Sequence, residues 1–316
     1  MTNCDPKNDT RVFLDYIQDY HDSLTEKVFR VLNNTITQVP QNSKVLIKPN
    51  FISPKNCLLA CTHPEIIRAV AIYFQESENK VIIGDSPAFG TARAIYKKID
   101  PDYRSLPADI VNFNKTTQIK LPFGGKMPFS SHVLESDYLV NLAKLKVHNQ
   151  MRMSAAVKNV FGCVPGTRKA VAHAQYGDKS NLFEQMILSL GKHLPRSCHM
   201  LEGIQAMHKS GPTNGLPYQL GIVGASVNSI ALDTAIYSVL GLSPEQVPLW
   251  KESQRQDLTG SRSKDLIYPG YTPEQFYTQG FLIPDRLSPV SFHPARLAKS
   301  TLKRFILSLK DTTLAR

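Results

Sequence analysis

The hydrophobic positions change period repeatedly along the chain. In FLDYIQDYHDSLTEKVFRVLNN the apolar residues recur at helical spacing, which predicts a helix within residues 11–38. KVLIK (44–48) is a short apolar run stopped by Pro49-Asn50, as a strand would be. THPEIIRAVAIYFQE returns to helical spacing, with Thr62 and Glu65 placed as a capping box and Pro64 in the first turn. KVIIGDSP then reads as strand, ARAIYKKI as helix and ADIVNFN as strand. Gly124-Gly125 inside QIKLPFGGKMPF predicts a hairpin, DYLVNLAKLKVHN a buried strand, LGIVGAS another strand, and SIALDTAIYSVLGL a helix.

Such alternation predicts an α/β fold, a largely parallel sheet flanked by helices, with a hairpin insertion and a helical C-terminal extension. The divisions are an N-terminal helical segment (1–43), an α/β core (44–245) and an extension (246–316) that loses the strand–helix rhythm. In that extension Leu302, Phe305, Ile306 and Leu309 form one apolar stripe of a basic amphipathic helix, with Lys299, Lys303 and Lys310 largely off it. The stripe suits packing on the protein itself, or weak contact with an anionic membrane surface.

Composition narrows the classes. With 316 residues, 42% hydrophobic and 20% charged, the chain can bury a sizeable core. No apolar run is long enough for a membrane span and the N-terminus has no apolar signal core, so a cytoplasmic location is expected. The net charge of +11 favours anionic partners. No nucleic-acid-binding signature accompanies it, so no specific nucleic-acid partner is expected. Cysteines 4, 57, 61, 163 and 198 are too scattered for a disulfide framework, and no run matches a four-cysteine iron–sulfur site.

In parallel sheets ligands bind beyond the carboxyl ends of strands, and the candidate residues fall there. Lys48 and Asn50 close one predicted strand, Asp85 and Ser86 another. Lys144, Lys146 and His148 share parity on a third, facing either a basic pocket or solvent. The stretch MRMSAAVKNVFGCVPGTRKAVAH adds Lys158, Asn159, Gly162, Cys163, Gly166, Arg168 and His173. A confined lysine beside a glycine-rich turn can act as nucleophile or base; on an exposed helix it would only be solvated. Asp85 is either a turn residue or a carboxylate that orients a base. Catalytic candidates are therefore Lys158, His148, His173 and Asp85. Ligand-binding candidates are Lys48, Asn50, Ser86, Lys144, Lys146, Asn159, Gly162, Gly166 and Arg168. Cys57, Cys61 and Cys163 are candidate soft metal ligands, or simply buried small hydrophobes.

The ordered motifs VLIKPN, THPEIIRAV, VIIGDSP, YLVNLAKLKVH, SAAVKNVFGCVPGTRK, GIQAMHKSGPTNGLP and GASVNSIALDTAIYSVLG resemble the prokaryotic family of domain of unknown function 362 over residues 44–245. Many members of that family carry an added ferredoxin-like module with four-iron–four-sulfur cysteines, which this sequence lacks. Glu202 stands where the family usually has aspartate. A shorter stretch, with His148, Lys158, Pro165-Gly166 and His173 in order, is similar to the nickel-pincer lactate racemase family. There the lysine anchors a pyridinium-derived cofactor and histidine binds nickel, so the likeness implies a cofactor or anion site. The expected function is that of an enzyme binding an anionic small molecule, a metal ion or a phosphate-bearing cofactor. The alternatives are a non-catalytic metal or iron–sulfur accessory protein and a membrane-surface or partner-binding protein.

Overall fold

The structure, a computed structural model, describes residues 9–291 apart from 22 and 107. The basic segment 294–310 lies outside the described residues. In chain order the elements begin β1 (Phe13–Tyr16), α1 (Leu24–Thr35), β2 (Lys44–Lys48), α2 (Cys57–Ala60), α3 (Pro64–Glu76), β3 (Lys80–Asp85), α4 (Ala92–Ile99) and β4 (Asp109–Asn112). The middle of the chain forms β5 (Thr116–Lys120), β6 (Lys126–Ser130), α5 (Ser131–Leu134), β7 (Tyr138–His148), β8 (Arg152–Ser154), α6 (Ala156–Asn159), α7 (Arg168–Tyr176) and α8 (Leu182–Leu190). It closes with β9 (Ser197–His208), β10 (Leu216–Ser226), α9 (Ser229–Val239) and α10 (Pro248–Arg255).

The main sheet runs β1-β10-β9-β7-β2-β3-β4, with β8 paired to β7. The β9-β7-β2-β3-β4 block is parallel; β10 and β8 run antiparallel to their partners. Period-two alternation assigns each strand's side chains to opposite faces. Val140, Leu142, Cys198 and Met200 pack with α1 and α3, while Leu145, Leu201 and Ile222 pack with α9. All eleven residues of β7 are buried, so it is a central strand, and the solvent-facing reading of Lys144 and Lys146 does not hold. β5 and β6 form the expected hairpin, its turn at Gly124 and Gly125, both at positive φ.

Three local expectations are corrected. FLDY is strand β1, not the start of the first helix, because it pairs with Ile222–Ala225 of β10. The described part of the N-terminal segment 1–43 is therefore not purely helical: it contributes strand β1 to the sheet as well as helix α1. His63, not Thr62, caps α3, its ring accepting the Glu65 amide. The Thr62 hydroxyl instead accepts the Asn50 amide at 2.8 Å and donates to the Leu142 carbonyl at 3.0 Å, tying the loop after β2 to β7.

The chain passes from β2 outward to β3 and β4, then crosses back to place β7 on the other side of β2. The carboxyl ends of β2 and β7 therefore flank a topological switch point, where open α/β sheets leave a crevice.

Candidate functional site

A cleft of about 970 Å³ opens at that point. Lys48 and Asn50 enter it from the end of β2, Asp85 and Ser86 from β3, and His148, Asn149 and Gln150 from β7. Lys158 and Asn159 come from α6, and Lys169 and His173 from α7; residues 288, 289 and 291 complete one wall.

The floor is a buried ion pair. Lys48 Nζ lies 2.9 Å from Asp85 Oδ1, and both side chains are almost wholly enclosed. Two buried charges recover their desolvation cost only with further hydrogen bonds, and these are present. Lys48 donates to the Pro49 carbonyl at 3.0 Å, while Asp85 accepts the amides of Phe51 and Ser86, each at 2.8 Å. Asp85 thus holds the ends of two strands together. Gly162 packs against the pair so closely that a Cβ there would lie 2.5 Å from Lys48 Nζ and 2.6 Å from Asp85 Oδ1.

A chain of amides continues from the floor. Asn50 Nδ2 donates to Asn159 Oδ1 at 2.7 Å, Asn159 Nδ2 to Asn141 Oδ1 at 2.8 Å, and Asn141 Nδ2 to the Ala156 carbonyl at 2.9 Å. His199 Nδ1 meets Asn141 Nδ2 at 3.0 Å. Lys146 Nζ binds Asn50 Oδ1 and the Ala60 carbonyl from behind. Its burial, together with neighbouring Lys144 and Lys48, pulls its ammonium down to about 8.

Lys158 differs from these lysines. Lys48 has Asp85, Lys144 has Glu202 at 2.7 Å, and Lys169 reaches the Ser86 carbonyl. Lys158 is half-buried and has no hydrogen bond or ion pair with the described residues. Burial first, then the charges of Lys146 and Lys169, lower its ammonium to about 7. Its short helix is held from beneath by Asp233 of α9, which accepts the Ala156 amide at 2.7 Å and the Val157 amide at 3.1 Å.

The two cleft histidines are neutral in the ordinary pH range. Burial, reinforced by the Lys158 charge, takes His173 to about 4 and His148 well below its usual value. Their tautomers are opposite. His148 Nδ1 accepts the Gln150 amide at 3.2 Å, which leaves the proton on Nε2. His173 Nδ1 lies 2.9 Å from the Val290 carbonyl, an acceptor only, so Nδ1 carries the proton and Nε2 the lone pair.

Of the residues expected from sequence, Lys48, Asn50, Asp85, Ser86, His148, Lys158, Asn159, Gly162 and His173 line one cleft. Lys146 lies one layer behind it, and Lys144 is tied to Glu202 and Tyr20. Gly166 and Arg168 are exposed and outside it, because the Pro-Gly turn carries them past the rim. Cys57 and Cys61 are buried in one apolar cluster and Cys163 in another, so the three do not meet as ligands. Among the described residues no group of three His, Cys, Asp or Glu side chains is placed to hold a metal. Lys169, Asn149, Gln150, Asn141 and Asp233 were missed. Lys169 shares a face with His173 four residues on, a signal present in the helical spacing. The others depend on distant segments meeting.

A separate cavity of about 230 Å³, lined by Val157, Leu188, His199 and Ile230 among others, lies on the other side of Asn141.

Comparison with known proteins adds the following. The profile described as "Domain of unknown function (DUF362)" matches residues 45–238. A thylakoid-associated protein of Synechocystis sp. is 33% identical over 282 residues, which is 85% of each chain. The lactate racemase apoprotein from Thermoanaerobacterium thermosaccharolyticum aligns at 14% identity and a TM-score of 0.47, over 75% of this chain and 59% of that one. A protein from Thermotoga maritima aligns at 14% identity and a TM-score of 0.39, over 63% of this chain and 55% of that one. The chain thus spans less than two thirds of either structure.

Proposed function

The chain belongs to the DUF362 family, whose description names no reaction, and we propose from the cleft itself that it is an enzyme whose ligand is an anionic small molecule or a phosphate-bearing cofactor. The observation that carries this reading is Lys158, an ammonium without a partner among the described residues in the lining of a crevice where α/β sheets hold ligands. Among the described residues Asp85 is the only acidic residue in the cleft lining, and it is committed to Lys48. Lys158 and Lys169 therefore give the cleft its sign. An anion bound there would supply the charge partner that the fold withholds from Lys158, and a hydrogen bond to a charged group contributes about 1.5–3 kcal/mol.

Titration calorimetry of the full chain with inorganic phosphate and with ADP tests this reading. Lys158→Met should weaken binding by about tenfold or more, and the exposed Lys264→Met should leave it unchanged. Affinity should fall as pH rises through about 7, where Lys158 loses its proton. Equal affinity in wild type and Lys158→Met at pH 6 would remove Lys158 from the site. No binding of either anion by wild type would overturn the proposal.

A further inference from the structure

We propose that the ligand is an anionic carbonyl compound, a 2-oxo acid or an aldehyde bearing a carboxylate or phosphate, and that Lys158 Nζ adds to its carbonyl carbon to form an imine. This rests on the anion-binding reading above and goes beyond it by naming the substrate class and the bond made.

Three features of the cleft converge on this chemistry. The first is the amine. An amine must shed its proton before it can attack carbon, and Lys158 near neutrality is divided between both forms. Salt-bridged or hydrogen-bonded lysines would have to break a contact first; Lys158 has none to break among the described residues.

The second is the pair of imidazoles. Adding an amine to a carbonyl needs a proton donor for the oxygen and an acceptor for the proton leaving nitrogen. His148 offers Nε2–H and His173 offers an Nε2 lone pair, each fixed by a backbone contact at Nδ1. Both rings line the cleft with Lys158, and the Lys158 charge is felt by both.

The third is charge. Imine formation consumes the Lys158 ammonium as an anchor, so the anionic end of the ligand needs another cation. Lys169 lines the same cleft, one helical turn before His173.

The step balances without an oxidant or reductant. The nitrogen lone pair forms the C–N bond as the carbonyl π pair moves to oxygen, whose developing charge is held by a hydrogen bond from His148 Nε2–H, and His173 Nε2 carries one N–H proton across to that oxygen. The carbinolamine nitrogen lone pair then expels the hydroxyl, which leaves as water with the second N–H proton, again carried by His173, so that both rings end in their starting forms and the C=N bond remains. Amine plus carbonyl gives imine plus water.

The full chain incubated with glyoxylate or pyruvate and reduced with sodium borohydride should carry one adduct per chain, mapped by peptide mass spectrometry to Lys158. Its yield should rise with pH to half-maximum near 7. Lys158→Arg should lose the adduct yet still bind the carboxylate by calorimetry. His173→Asn should slow trapping at least tenfold with binding kept. Carboxylate binding without a trapped adduct at Lys158, or an adduct spread over exposed lysines, would overturn the imine and leave the anion-binding reading standing. Absence of both binding and adduct would overturn both.

Discussion

Gly162 shows how one residue sets the shape of the cleft floor. A methyl group there would press on both members of the Lys48–Asp85 pair, and neither can move without exposing a buried charge. Overpacking of this kind costs about 1–3 kcal/mol. Gly162→Ala should therefore lower the urea midpoint by that equivalent with an unchanged slope; an unaltered midpoint would show that the pair gives way freely. At this scale the sequence was informative where chemistry and turn residues cluster. Lys158, His148 and His173 were legible because strand parity and a glycine-rich turn point at one place. Arg168 was misplaced, since a Pro-Gly turn reverses direction and residue order does not say which of two adjacent bases turns inward. Lys169 does.

Among the elements, α6 has only four residues and cannot sustain itself as a helix in isolation. Its first amides are held by Asp233, which α9 carries into the interior. Asp233→Asn would turn an NH2 toward one of those amides and should cost about 1–3 kcal/mol, with faster hydrogen exchange at Ala156 and Val157. Burial raises the Asp233 carboxyl to about 7, against an ordinary value near 3.8. Between those values the unfolded chain has released a proton that the folded chain keeps, so this group's contribution to stability falls as pH rises. The gap between wild type and Asp233→Asn in urea unfolding should accordingly narrow from pH 4 to pH 7, and a constant gap would refute the assignment. The parallel core was readable from its period changes. β1 was not, because a four-residue strand beside a helix takes its identity from β10, some two hundred residues later. Nor was β9 foreseen, because His199 and Glu202 interrupt its apolar run and are buried only through Asn141 and Lys144.

For the molecule as a whole, three buried neutral histidines outweigh Asp233 in mild acid. His173 and His199 are held near 4 by burial and His148 lies well below the ordinary 6.5. As pH falls from 6.5 toward 4 the unfolded chain takes up protons that the folded protein refuses, so stability is lost at up to about 1.4 kcal/mol per proton per pH unit. Urea midpoints measured across that window should decline, and His199→Gln should flatten the decline by one histidine's share. A flat profile in wild type would mean that these rings reach water.

The wall at residues 288–291 has a consequence for where the molecule can be cut. Ser288 N donates to the Asn149 carbonyl at 2.7 Å, Asp178 accepts the Val290 and Ser291 amides, and the Val290 carbonyl sets the His173 tautomer. This wall lies outside the 45–238 stretch that marks the family, as does β1. The family-matched stretch and the cleft lining thus have different borders. A chain cut after residue 238 would therefore keep the whole matched stretch yet lose residues 288–291 from the cleft wall and, with Val290, the acceptor that fixes the His173 tautomer.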